Sequence, residues 1–287
     1  MMSTESSPNK VNRPRLSVPP DACDTHMHFY GPQDQYPLAP TASFTPPLAT
    51  VEGYRTVQKR LGLRRVVVVQ PSGYGFDNRC MLDAIKQLGD DARGVVVVGK
   101  GVKDDELQQL TDLGVRGIRF FMFPGGVLPW EILDEMAARV RAFDWHVQLQ
   151  LDGRELPDHI AQIRTLPGRL VIDHVGKFIE PVATTDRVFK MLLDLVDSGQ
   201  CWVKLAAPYE TSKVGPPRYS DVGALAKALV KAAPQRMLWA SNWPHPSALD
   251  NLPDDAMLLD LLLDWVDDDA TRKRILVDNP AKLYGFE

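Results

Sequence analysis

Five residues of this 287-residue chain have the chemistry to move protons and steady an oxyanion, and their spacing lets them converge. His26 and His28 stand two apart in Asp24-Thr25-His26-Met27-His28. On an extended strand that spacing points both rings to one side. His174 follows Val171-Ile172-Asp173, and Asn242 and His245 share the segment Ser241-Asn242-Trp243-Pro244-His245-Pro246. Imidazole titrates near neutrality, so the four histidines are candidate proton carriers and oxyanion donors. Asn242 differs in kind. An amide donates and accepts hydrogen bonds but has no basic form at neutral pH, so it can orient a hydroxyl without deprotonating water. Four further residues are candidates for holding a substrate. Arg119 offers a fork of donors for a carboxylate. Lys204 could assist it or polarise a carbonyl, and Ser72 and Gln150 could bind hydroxyls.

These side chains need elements that bring them together. Eight short apolar segments read as strands: 22–29, 65–72, 94–99, 115–122, 146–151, 170–176, 201–207 and 237–243. Runs such as Val66-Val67-Val68-Val69 imply burial on both faces, as in a parallel sheet. Amphipathic helical stretches alternate with them, at 51–61, 80–88, 103–113, 130–143, 157–165, 187–197 and 222–233. Closing helices are expected over 254–269, 270–276 and 279–284. Eight such units fit an α/β fold of the (β/α)8 TIM-barrel class, spanning residues 21–287 after a flexible arm at 1–20. An open doubly wound sheet would need a glycine-rich phosphate loop, and no GxGxxG or GxxxxGK[ST] occurs. In a barrel the C-terminal strand ends carry the site, and every candidate falls near such an end. His146 begins its strand and His159 lies in a helix, so both are assigned structural roles.

Composition narrows the partners. A net charge of -4 without a basic run argues against nucleic acid. No apolar stretch is long enough for a bilayer, and the first residues lack a signal peptide's apolar core. Cys23, Cys80 and Cys201 form no CxxC, so reduced thiols in a cytoplasmic protein are expected rather than a disulfide frame or zinc-thiolate cage. The partner expected is a small molecule, and assembly as a homo-oligomer stays open.

Four segments, DTHMHFYGP, VIDHVGK, WVKL and SNWPHP, carry a resemblance that runs over nearly the whole chain. They resemble the amidohydrolase superfamily, and within it the amidohydrolase-related branch that includes 2-pyrone-4,6-dicarboxylate lactonase and sugar lactonases. In lactonases of this branch the last segment usually reads TDWPHP, its aspartate the expected general base. Here that position is Asn242. The departure is the one expected of a lactone isomerase. The resemblance therefore implies conversion of D-galactaro-1,5-lactone to D-galactaro-1,4-lactone by attack of the substrate's own hydroxyl, in uronic-acid catabolism. The alternative is a lactonase that hydrolyses a sugar-acid or pyrone dicarboxylate lactone.

The resemblance also bears on metal. Metal-dependent members use HxH on strand one, Lys or Glu on strand four, His on strands five and six, and Asp on strand eight. This chain keeps His26, His28 and His174. It has Gln150 and Asp152 at the end of strand five, and Asn242 on strand eight. With so little anionic charge to hold an ion, no cofactor is expected, and zinc less so than a metal-free site.

Overall fold

The structure, a computed structural model, describes residues 12–287, in which eight parallel strands and ten α-helices alternate. The strands are β1 (Cys23–Met27), β2 (Arg65–Val69), β3 (Ala92–Val96), β4 (Val115–Phe121), β5 (His146–Gln150), β6 (Leu170–Ile172), β7 (Cys201–Leu205) and β8 (Met237–Trp239). Each pairs in parallel with the next, in sequence order. The helices are α1 (Val51–Leu61), α2 (Arg79–Leu88), α3 (Asp104–Asp112), α4 (Leu133–Arg141), α5 (Leu156–Thr165), α6 (Arg187–Asp197), α7 (Ser220–Ala232), α8 (Asp255–Trp265), α9 (Asp269–Lys273) and α10 (Asn279–Tyr284). The architecture is the expected (β/α)8 barrel.

Local chemistry explains where the helices start and stop. The Thr50 side chain accepts from the Gly53 N–H to open α1, and Gly62 closes it in the left-handed conformation. Asp186 and Asp254 cap α6 and α8 in the same manner. The strands are buried on both faces. Val66 and Val68 pack outward against the helices, whereas Cys23, Val67, Val69, Val95, Val171 and Leu238 form a second cluster with Tyr284 and Phe286. The C-terminal helix thus covers the N-terminal end of the barrel. His146 lies there, its ring 5.3 Å from that of Tyr284, at the face opposite the candidate site. Gly117 makes room for it: a Cβ would come within 2.5 Å of the His146 ring. His159 stacks on Trp130.

All eight strands stop short of their expected ends, β6 and β8 by the most, four residues each. β6 ends at Ile172 because His174 and Val175 take positive φ, 52° and 56°. β8 ends at Trp239, and Asn242 stands in the following loop with φ 61°. Apolar character runs on past the point where the backbone turns. β3 begins at Ala92, two residues before the expected start. Residues 1–11 of the expected N-terminal arm lie outside the described residues. Residues 12–20 are tied down: the backbone N–H groups of Arg15 and Leu16 donate to Asp260 on α8, and Leu16 is buried.

The seam between β1 and β8 is closed by a different set of bonds from the ladders elsewhere. Asn242 N–H donates to the His26 carbonyl at 2.9 Å, and His28 N–H to that of Trp243 at 2.8 Å. The Asp24 carboxylate, wholly buried, accepts from Ser241 N–H, Ser241 Oγ, Tyr54 OH and His26 N–H. Removing it would orphan several buried donors at once. Asp24→Ala is expected to lose about 3 kcal/mol or more of stability, and Asp24→Asn less. Urea unfolding at neutral pH checks both values.

Candidate functional site

A cavity of about 290 Å³ opens among the loops at the C-terminal ends of the strands. Six of the nine residues expected from sequence line it: His28, Ser72, Arg119, Gln150, His174 and Asn242. The other three lie behind its walls. His26 and Lys204 form a buried floor, and His245 stands behind Asn242. Lys204 is fully buried and bonded to Gln148, so it is not placed to touch a substrate.

The floor is a hydrogen-bonded chain whose proton positions follow from one backbone carbonyl. His28 Nδ1 lies 2.8 Å from the Val69 oxygen, which can only accept. Neutral His28 therefore carries its proton on Nδ1 and presents a lone pair at Nε2. His26 Nε2, 3.2 Å away, donates to it, and His26 Nδ1 then faces two donors, Lys204 Nζ at 3.2 Å and Gln148 Nε2 at 3.3 Å, with Asp173 Oδ1 also 3.2 Å away. Lys204 also donates to Gln148 Oε1 at 2.6 Å and lies 3.6 Å from Asp173 Oδ1. Gln148 in turn donates to Asp173 Oδ2 at 3.0 Å.

Burial drives His26 well below its ordinary pKa, the Asp173 charge notwithstanding. Burial, helped by Arg119, lowers His28 to about 3. Burial also lowers His174 to about 4 against the pull of Glu210 and Asp173. All three rings are neutral near pH 7. Burial brings Lys204 down to about 8. Asp173 stays well below the carboxylate range because His26 and Lys204 outweigh the cost of its burial.

His174 is the imidazole with free nitrogens. It sits in a turn where Val175 and Lys177 also take positive φ, a conformation ordinarily strained for such residues. The turn throws its ring to the cavity wall, 4.9 Å from that of His26. Among the described residues neither ring nitrogen has a hydrogen-bond partner, and Nδ1 is buried. Arg119 is unsatisfied in a different way. It donates to the Gln70 carbonyl and to Gln150 Oε1, and among the described residues its Nε has no partner and no carboxylate pairs with it. A buried cation without a counter-ion in a cavity wall suits an anionic ligand.

Two wall residues were missed by the strand-end reading. Lys177 follows the VIDH turn, and Glu210 follows β7 in Ala207-Pro208-Tyr209-Glu210. They form an ion pair in the cavity lining. Lys177 closes the quoted VIDHVGK motif, so a signal was present. Glu210 had none, since it lies five residues beyond the end of its strand.

Asn242 is held by Tyr209 and Glu210. Its Nδ2 donates to Tyr209 OH at 2.8 Å and to Glu210 Oε1 at 3.1 Å. A carboxylate can only accept, so Glu210 fixes which end of the amide is NH2. Oδ1 is left without a partner among the described residues, as an acceptor in the cavity wall. Tyr209 OH in turn donates to His245 Nδ1 at 3.0 Å, and His245 Nε2 donates to Asp255 Oδ1 at 2.8 Å. His245 therefore supports the amide from behind.

The fold and this cluster at its strand ends define a member of the amidohydrolase family, whose model matches residues 23–286; the chain belongs to that family. Among named relatives, D-galactarolactone isomerase of Agrobacterium fabrum is 37% identical over 275 residues, covering 94% of this chain and 93% of the relative. The 2-pyrone-4,6-dicarboxylate hydrolase of Comamonas testosteroni is 35% identical, covering 95% and 93%. A ligand-free crystal structure of an Agrobacterium tumefaciens protein superposes with a TM-score of 0.90 at 36% identity, covering 96% of this chain and 99% of that one.

Burial would raise the Glu210 carboxyl, but Lys177, His174 and the bonds from Lys177 and Ser247 prevail and hold it at about 2. A carboxylate depressed in this way stabilises the fold above its unfolded pKa, about 4.3, and that contribution is lost as pH falls through about 2. The stability difference between the native protein and Glu210→Gln should be largest at neutral pH and shrink steadily from about pH 4.3 downward. Denaturant midpoints measured across that range would show a constant difference if the pair carried no such linkage.

Proposed function

We propose that this protein is a metal-independent lactone isomerase that converts D-galactaro-1,5-lactone to D-galactaro-1,4-lactone. The observation that carries the proposal is the locked amide of Asn242. At the position where a hydrolase of this branch needs a water-activating carboxylate, the cavity wall presents a carboxamide oxygen that accepts a hydrogen bond but takes no proton. The named relatives act on lactones, an isomerase and a hydrolase among them, which supports the substrate class.

The reaction needs one mobile proton. In the six-membered lactone the C4 hydroxyl attacks C1, and the C1–O5 bond breaks as the five-membered ring forms. His174, neutral and with a free nitrogen, takes the proton from O4 and returns it to O5, so atoms and charge balance without water. O4 and O5 sit on neighbouring carbons, so a single imidazole can reach both. Asn242 Oδ1 orients the attacking hydroxyl, and Lys177 and Ser72 are wall donors available to the developing oxyanion. Because the nucleophile is tethered, effective molarities of roughly 10^5 M are available without recruiting a second molecule.

Charge pairing favours a substrate with one free carboxylate. Glu210 neutralises Lys177, and Arg119 remains as the cavity's cation without a carboxylate partner. Hydrolysis has one observation in its favour, the Glu210 carboxylate in the wall. Held at about 2, that group is a weak proton acceptor at neutral pH. The three cysteines are buried and free, which suits a reducing cytoplasm. Among the described residues no helix is long and apolar enough to cross a membrane.

Proton NMR of the 1,5-lactone in oxygen-18 water with a chelator, paired with mass spectrometry of the products for label, tests the reading. The native protein should give 1,4-lactone free of label, ahead of open diacid. Asn242→Asp should release labelled diacid, and Asn242→Asp with Glu210→Gln less of it, since the second change removes a like charge that raises the basicity of the new carboxylate. Labelled diacid formed faster with the native protein than without it, and ahead of the 1,4-lactone, would make it a hydrolase. In a separate binding competition, Glu210→Gln should bind a pyrone dicarboxylate about tenfold more tightly than the native protein, because Lys177 is then free to meet a second carboxylate.

A further inference from the structure

The resemblance to metal-dependent barrels raises the question of what stands where their ion would be. Three groups come near to forming a site: His26, Asp173 and His174 each bring one ligand atom within 4.8 Å of the others. The surroundings do not fit a divalent cation. Lys204 Nζ is 3.2 Å from His26 Nδ1 and 3.6 Å from Asp173 Oδ1, two of the three groups an ion would use. An ion bonded to those atoms would lie against a buried ammonium, and like charges repel strongly in so dry a place.

The lone pairs are committed as well. His28 gives its Nδ1 proton to the Val69 carbonyl and receives the His26 proton at Nε2. His26 Nδ1 is crowded by the Lys204 ammonium, the Gln148 amide and the Asp173 carboxylate. Neither ring of the HxH pair keeps a free nitrogen for a metal. Lys204 reaches this point from the middle of β7, with Gln148 from β5 as its fixed partner. Asp173, the one carboxylate of the floor, is shared between them.

We propose that the Lys204 ammonium is a tethered substitute for the family's metal ion. It supplies the cation that orders His26 and Asp173, and its presence keeps divalent ions out. Removing that charge should turn the floor into a metal site made from His26, His28, Asp173 and His174, groups of the nitrogen and oxygen type that cobalt(II) and zinc(II) accept.

Direct metal binding tests this with no reference to turnover, so its failure and the failure of the isomerase reading are separate events. Native protein, Lys204→Met, Lys204→Gln and Lys204→Arg are stripped with chelator, checked for native circular dichroism and titrated with cobalt(II). The visible absorption of the cobalt and elemental analysis after gel filtration are both read. The native protein and Lys204→Arg should retain no metal. Whichever of the Met and Gln variants is folded should retain one ion per chain, bound about 100-fold more tightly than by the native protein, and adding Asp173→Asn should abolish it. Stoichiometric metal in the native protein with Lys204 in place would overturn the proposal. So would folded Met or Gln variants that bind cobalt no better than the native protein.

Discussion

The Asp24 carboxylate is the contact on which the site depends. Seven junctions of the barrel are made by strand ladders, and the eighth is made by this side chain and the loop it grips. By accepting from Ser241, Asp24 fixes the start of the loop after β8, and that loop then bonds back to His26 and His28. The two histidines and the amide are thus set against one another by the closure of the barrel. Burial raises the pKa of Asp24 even though Ser241, His26 and Tyr54 all donate to it. The group is kept at a cost, which is what a positioning role requires.

Inside the barrel, a layer that is apolar in most proteins of this shape is polar here: His26, Arg119, Gln148 and Lys204 point inward from four strands, with Asp173 at the rim. Such a layer is tolerable only if nearly every donor finds an acceptor. The floor meets that condition through the chain from Val69 to Asp173. The exceptions are Arg119 Nε and the nitrogens of His174, and both residues face the cavity. Within this layer the unsatisfied groups face the cavity, while His146, Trp202 and Tyr284 hold others elsewhere in the barrel. The satisfied part holds the shape, and the unsatisfied part is left for chemistry.

Much of this was legible in the residues. Alternating apolar runs and amphipathic stretches gave the barrel because burial on both faces leaves a strong pattern, and α1, α6 and α10 fall where the periodicity puts them. The HxH spacing placed His26 and His28 together because strand geometry alone fixes it. The limits have equally definite causes. Apolar runs did not reveal the ends of β6 and β8, since the positive φ of His174, Val175 and Asn242 leaves no mark on hydrophobic periodicity. Lys204 lies on the inner face, as its strand suggested, but its partners come from β1, β5 and the turn after β6. Residue type could not distinguish a lysine that greets a ligand from one that lies beneath it. Glu210 was invisible because the loop carrying it follows no period.

The support behind Asn242 does not end at His245. Asp255 accepts from Arg60, whose guanidinium projects from α1, so the line from the cavity runs through Tyr209, His245 and Asp255 to the outer ring of helices. Surface positions are ordinarily where sequences drift without penalty. Here a substitution on α1 or at the start of α8 changes the acceptor strength of Asp255, then the hold on the imidazole, then the aim of the amide. Drift at Arg60 is therefore tied to the aim of an amide on the far side of the helix layer, and the shape of the cavity wall is written partly in the shell around the barrel.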